Sequence, residues 1–445
     1  TATYSQNKYD NVPLGDNANE YSGVLTGAIQ SNPTIPIYDS EGNYFIDPKR
    51  PFVANPVSLL DIKDNTVKDR IIGSAFVSVK PLKDLEVKLQ LGVDRSFQKR
   101  SSYLPKTTLQ GKTKNGRADI SQETSTAYLM ELTAQYSKNF GDHNVKAIGG
   151  YSFQKFKNDG FSAGNSDFLV DGFGYNSLGS GNYKKPSVSS WASINSIASL
   201  FARANYSYKG RYLLEATVRA DAASNFAPEN RWGYFPSVSA GWKISGEEFM
   251  KDIKVINLLK LRASWGMSGN DRIGTADYIP NYDVTNTVYG GTSQVGVYAK
   301  NIANDKLKWE TTKAFDIGFD LSLFNNRVQL NVDYYINKTD DLLYSTKLPA
   351  ATGFSTVKTN LASIENKGWE IDLTTVNVHT KAFKWSSSLN LATNKNKVLD
   401  MGGKDNVITE AYDARFITKV GGPISQFYVY RTDGLLTNDD FELGP

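Results

Sequence analysis

The dominant feature of the chain is alternation of apolar and polar residues with a period of two. In KGRYLLEATVRAD at 209–221, an extended backbone puts Tyr212, Leu214, Ala216, Val218 and Ala220 on one side and Glu215, Thr217, Arg219 and Asp221 on the other. The pattern returns along most of the sequence. Leu85, Val87, Leu89, Leu91 and Val93 alternate with Glu86, Lys88, Gln90 and Asp94, and Tyr128, Met130, Leu132, Ala134 and Tyr136 alternate with Glu131, Thr133 and Gln135. After KNFGDH the series resumes with Val145, Ala147, Gly149, Tyr151 and Phe153. Leu200, Ala202, Ala204, Tyr206 and Tyr208 precede the segment quoted first, and Val238, Ala240, Trp242 and Ile244 follow it. Leu259, Leu261, Ala263 and Trp265 oppose Lys260, Arg262 and Ser264. The clearest hairpin joins Phe315, Ile317, Phe319, Leu321 and Leu323 through FNNR to Val328, Leu330, Val332, Tyr334 and Ile336, and Asn-Asn suits the positive φ of a tight turn. Further strands are predicted near 71–80, 368–376 and 384–394, giving about a dozen in all.

The connections divide into two kinds. Short turns at 81–84, 138–143, 209–210, 324–327 and 379–383 alternate with long stretches at 98–124, 155–193, 267–310, 338–367 and 395–425. Loops beyond about 12–15 residues are uncommon in compact soluble domains, whereas outer-membrane barrels keep short turns at the periplasmic end and long loops outside. The segment SGEEFMKDIKVINLLK, on the short-turn side, is read as a short helical turn.

Composition supports an all-β chain: 40% hydrophobic residues, 25 Tyr, 22 Phe and 36 Gly suit strands and turns. No run approaches the roughly 20 apolar residues of a spanning helix, but a spanning strand needs only about 9–11 residues with one apolar face. The fold class predicted is an antiparallel transmembrane β-barrel. A soluble β-sandwich or β-helix is the alternative, and a sandwich is disfavoured because its strands average about 5–6 residues while many here reach ten. With 50 basic and 46 acidic residues spread evenly, the net charge of +4 gives no signature of a nucleic-acid partner. Zero cysteines and two histidines, His143 and His379, remove disulfides, thiolate catalysis and the usual zinc sites.

Candidate chemistry is sparse. GKT at 111–113 lacks the glycine of a phosphate loop, since Lys106 occupies that place, and GFGYNSLGSGNY at 172–183 is read as a loop. The acidic clusters NKTDD at 337–341 and NDDFE at 438–442 match no calcium-loop spacing and are read as solvated charge. Asp316 with Asp320, and Glu370 with Asp372, share strand faces without a His or Cys nearby, which favours the lining of a polar lumen over acid–base catalysis. The chain is therefore expected to be no enzyme, with no catalytic residue, metal or cofactor. The expected lumen-facing residues are Glu131, Arg203, Glu215, Arg219, Asp221, Arg262, Asp316, Asp320 and Asp333. Aromatic residues expected in long loops, Tyr183, Trp191, Tyr289 and Tyr298, are candidates for stacking on a ligand.

Several stretches carry a family resemblance: YLLEATVRADAASNFAPENRWGYFPSVSAGWKIS at 212–245, LLKLRASWGMSGN at 258–270, LKWETTKAFDIGFDLSLFNNRVQLNVDYYINKTDDLLY at 307–344 and NLASIENKGWEIDL at 360–373, flanked by NPTIPIYDSEGNY at 32–44 and GGPISQFYVYRTDGLL at 421–436. In these the chain resembles the SusC/RagA-like TonB-dependent transporters of the Bacteroidetes outer membrane. The resemblance implies part of a 22-stranded, plugged barrel, with residues 1–445 as a partial β-barrel domain and the plug and closing strands lying outside them. It further implies import of oligosaccharides or oligopeptides, with outer-membrane lipid, a SusD-like lipoprotein and, through an N-terminal region outside these residues, TonB as partners. A barrel with a structural, assembly or adhesion role and no transport is the alternative. The missing segments are read as a sign that the chain is processed or a portion of a longer protein.

Overall fold

The computed structural model describes residues 1–15, 23–275, 277–411, 414–431 and 434; the acidic cluster at 438–442 lies outside the described residues. The strands are β1 (Ala2–Asp10), β2 (Lys63–Leu82), β3 (Leu85–Leu104), β4 (Arg117–Phe140), β5 (His143–Ser166), β6 (Ser187–Tyr208), β7 (Tyr212–Ala223), β8 (Trp232–Lys243), β9 (Ile256–Asn270), β10 (Tyr282–Tyr289), β11 (Thr292–Ala299), β12 (Glu310–Leu323), β13 (Val328–Lys347), β14 (Thr356–His379), β15 (Lys384–Ala392) and β16 (Lys395–Met401). Fourteen of them form one sheet in chain order, β1 to β9 and then β12 to β15, with β16 paired to β14; β10 and β11 form a hairpin of their own. Each strand from β7 to β15 in this sheet pairs antiparallel with the next. This order follows from the turns. Lys209 (φ 53°) and Gly210 (φ 63°) close β6 onto β7, and Phe324, Asn325 and Asn326, with φ of 55°, 57° and 63°, close β12 onto β13. Asparagine and glycine reach that left-handed region at the least cost.

The strands are longer than the alternation predicts, reaching 24 residues in β4, β5 and β14. The long connections shrink accordingly to 105–116, 167–186 and 348–355. The reason is physical: hydropathy alternates only where the two faces meet different surroundings, so a strand that continues into water on both sides carries no such signal. The expected loop 267–310 also contains the β10–β11 hairpin, turned by Gly290 (φ 60°) and Gly291 (φ 79°). The predicted helical turn is two 3-10 turns, Ile244–Gly246 and Glu248–Met250, and the VINLLK part of that segment enters β9 from Ile256.

The chain divides into two compact units. One comprises Thr1–Val79, Val87–Leu132 and Ser152–Ala198, the other Lys80–Glu86, Thr133–Tyr151 and Ser199–Pro445. The first has a small core of Tyr103, Ala118 and Phe168, with Tyr175 and Leu178 packed against it. Tyr103 meets Phe168 edge-on at 5.8 Å, and its hydroxyl donates to Asp171 Oδ1 at 2.5 Å, fastening segment 167–186 to the end of β3. In the same unit Asp39 turns the segment between Tyr38 and Tyr44. Its Oδ1 accepts from the Asn43 and Glu41 amides, and these bonds, that of Asn43 first, hold its carboxyl below the usual carboxylate range.

Candidate functional site

The second unit sorts its side chains by register. Leu214, Ala240, Ala263, Ile317, Tyr334 and Trp369 are cross-strand partners in succession from β7 to β14. This row is apolar, and Leu214, Ile317 and Trp369 stand open, Leu214 at 51% and Trp369 at 52% exposure, while Tyr334 is half-buried. One residue along, the row reads Glu215, Ser239, Ser264, Asp316, Tyr335 and Gly368. Parallel to it on the same polar face run Gly241, Arg262, Gly318, Asp333 and Glu370, then Lys243, Lys260, Asp320, Asn331 and Asp372.

Several charges of the polar face are paired. Arg262 Nε donates to Asp320 Oδ1 at 2.9 Å and its Nη2 to Asp333 Oδ2 at 3.1 Å, while Lys260 Nζ lies 3.8 Å from Asp320. Arg262 reaches Asp333 across β12 because the residue between them, Gly318, has no side chain. A Cβ there would lie 2.0 Å from Asp333 Oδ1. Arg219 Nε donates to both oxygens of Asp221, at 2.8 and 2.9 Å, its Nη2 to Ser199 Oγ at 2.8 Å, and its guanidinium lies 5.7 Å from the Phe201 ring centre. Arg203 Nε donates to Thr217 Oγ1 at 3.1 Å and stands 3.7 Å from Glu215. Asn205, Glu215, Ser239, Lys260, Arg262 and Asp316 contribute to a cavity of about 410 Å³ on this face. Such a surface offers hydrogen bonds and both signs of charge to a polar solute. Among the described residues, no group of three or more histidines or carboxylates converges as a metal centre requires.

Aromatic side chains mark both ends of this wall. At the short-turn end the rings of His143, Tyr208, Tyr212 and Trp242 follow one another at 4.8, 6.3 and 6.4 Å, and His143 Nδ1 is hydrogen-bonded to the Tyr206 hydroxyl at 2.7 Å. At the opposite end Trp309 packs against Phe226 at 5.5 Å and Phe235 at 5.4 Å and donates from Nε1 to the Arg231 carbonyl at 2.8 Å. Phe235 lies over Gly233 and Gly269, where a Cβ would come within 2.5 and 2.1 Å of its ring. Beside this cluster Asp271 is raised above the usual carboxylate range, first by burial and then by the charge of Asp221.

Eight of the nine charged candidates thus lie in the second unit. Arg203, Glu215, Arg219, Asp221, Arg262, Asp320 and Asp333 form ion pairs, and Asp316 lines the cavity between Ser264 and Tyr335. Glu131 belongs to the first unit, on β4, on the face opposite the exposed Tyr128, Met130 and Leu132. The loop aromatics need correction. Only Tyr183 lies in a connection; Trp191 is on β6, against Gly160, and Tyr289 and Tyr298 are on one face of the β10–β11 hairpin. Hairpin and strand here have two hydrated faces, so nothing in their hydropathy separates them from loop. Sequence reasoning also passed over Gly318, Gly233 and Gly269. The available signal was a glycine inside a strand pattern, which marks close approach of another group.

The family profile described as "TonB dependent receptor-like, beta-barrel" matches residues 4–426. TonB-dependent receptor P3 of Formosa agariphila is 32% identical over 428 residues, covering 95% of this chain and 43% of that protein. TonB-dependent receptor SusC of Bacteroides thetaiotaomicron is 30% identical, over 95% of this chain and 46% of its own length. The chain therefore spans less than half the length of these curated relatives. Among solved structures, the RagAB peptide importer in its closed-closed state superposes with a TM-score of 0.81 at 21% identity, covering 99% of this chain and 50% of that one. At that identity the likeness is one of fold.

Proposed function

Because this chain belongs to the TonB-dependent receptor β-barrel family, in its SusC/RagA-like branch, and is an outer-membrane β-barrel protein, we propose that it forms part of the wall of an importer for bulky oligosaccharides or oligopeptides. In this reading a SusD-like surface lipoprotein delivers the solute and TonB supplies the energy. The observation that carries the reading is the two-faced sheet. Its apolar rows stand exposed over many strands, more than a surface in water tolerates, and lipid is the solvent that suits them. The opposite face then lines the lumen, with Arg203, Glu215, Arg219, Asp221, Arg262, Asp316, Asp320 and Asp333 spared the cost of charge in hydrocarbon. Glu131, by its side of β4, belongs with them. The short turns face the periplasm, and the long connections, with Tyr183 and the β10–β11 hairpin, face outward, where the solute arrives.

The lumenal charges do two things for such a solute. Arg262, held between Asp320 and Asp333, keeps its guanidinium at a fixed place, and the paired charges offer hydrogen bonds without attracting one sign of solute strongly. The test is uptake by cells carrying the intact receptor, with fluorescent oligopeptides and oligosaccharides offered separately and TonB present or deleted. Uptake of at least one class, lost on TonB deletion, is expected. No TonB-dependent uptake of either class would overturn the proposal and support a surface role without transport.

A further inference from the structure

The connection from β8 to β9 stands apart from the other short turns. Residues 244–255 are held in place from the apolar side of the sheet. Glu247, only 9% exposed, accepts from Trp242 Nε1 at 3.0 Å and from Arg211 Nη1 at 3.0 Å, while Arg211 Nη2 reaches Glu248 Oε1 at 3.0 Å. Trp242 and its neighbour Tyr212 belong to the apolar face, their rings 6.4 Å apart and nearly parallel. Glu247 therefore fixes the segment at the level of the aromatic rings, on their side. From there the chain presents Phe249, 67% exposed, with Ile253 and Val255 also exposed, Val255 directly before the start of β9 at Ile256. Glu248, Lys251, Asp252 and Lys254 are interspersed and exposed. Three open apolar side chains mixed with charge, continuous with an aromatic belt, suit the boundary between lipid headgroups and acyl chains.

We propose that residues 244–255 are an interfacial anchor, in which Phe249 and Ile253 enter the glycerophospholipid headgroup–acyl boundary of the leaflet at the short-turn end. Lys254 reaches back to phosphate level along its aliphatic stem. The inference rests on the reading that the apolar face meets lipid, and its test separates the two. Residues 1–445 contain no cysteine, so single cysteines at 248, 249, 253 and 214 can each carry a spin label in the intact receptor, freed of any cysteine elsewhere. The receptor is reconstituted in bilayers of phosphatidylethanolamine and phosphatidylglycerol. Collision with a water-soluble nickel complex should be several-fold weaker at 249 and 253 than at 248, and collision with oxygen stronger, at a depth shallower than 214. Labels at 249 and 253 as open to nickel as 248, with 214 embedded, would overturn the anchor alone. Labels shielded from both nickel and oxygen would overturn it in favour of a protein partner. A label at 214 open to nickel would overturn the lipid-facing reading and the anchor with it.

Discussion

Arg262 and Asp333 meet across an intervening strand: one is on β9, the other on β13, and their side chains join at 2.9 Å over Gly318 of β12. Cross-strand pairs normally link adjacent strands, so this contact ties three strands into one unit on the polar face. It depends on an absent side chain as much as on the two charges.

Gly318→Ala is accordingly predicted to be more harmful than its size suggests. The new Cβ would force Asp333 off Arg262 and would also press the Val332 carbonyl, 2.7 Å away. A loss of about 1–3 kcal/mol, the range for overpacking, is expected. Resistance of the folded barrel to heating in detergent reads it, with Ser264→Ala on the same face as the control that should change little. Equal behaviour of the two variants would refute the bridging role.

The two faces should differ in their tolerance of charge. Leu214→Arg is expected to cost about 2–4 kcal/mol if near the bilayer midplane, and Thr217→Arg, three residues along and on the polar face, much less. Folding yield into bilayers across a urea series measures both. Similar losses would point to a sheet whose two faces meet the same surroundings.

Tyr103→Phe should release segment 167–186. The hydroxyl bonded to Asp171 is part of the small core of the first unit, and leaving that carboxylate without its donor should cost about 1–3 kcal/mol. Burial, and then the bond to Asp171, raise the Tyr103 hydroxyl above the ordinary tyrosine range. The contribution is thus fully present below the unfolded value of about 10 and is lost only as pH rises through the higher folded value. Protease nicking within 167–186 should increase in Tyr103→Phe at neutral pH, while Tyr183→Ala leaves it unchanged.

Asp271 predicts an opposite slope to the usual carboxylate. Its folded value is raised, so its stabilising effect is complete below the unfolded value of about 3.9 and declines as pH rises through the folded one. Asp271→Asn should therefore raise the melting temperature at neutral pH and flatten its fall as pH rises above the unfolded value. An unchanged slope would mean that Asp271 is not ionising in a desolvated place.

The sequence by itself determined the strands of the central belt, their faces and the turns between them. Alternation such as Leu214, Ala216 and Val218 against Glu215, Thr217 and Arg219 is written wherever one face meets apolar surroundings and the other polar ones, and the turn at 324–327 carries its asparagines in plain view. The family was legible for the same reason, since its stretches include those strands and turns. Only the tertiary structure decided which charges meet. Arg262, Asp320 and Asp333 are far apart in the chain, and register alone brings them together over a glycine whose role lies in the space it leaves. It also decided where strands end and loops begin, as at Trp191 and the β10–β11 hairpin, because a strand with water on both faces follows hydrogen bonds that hydropathy does not record.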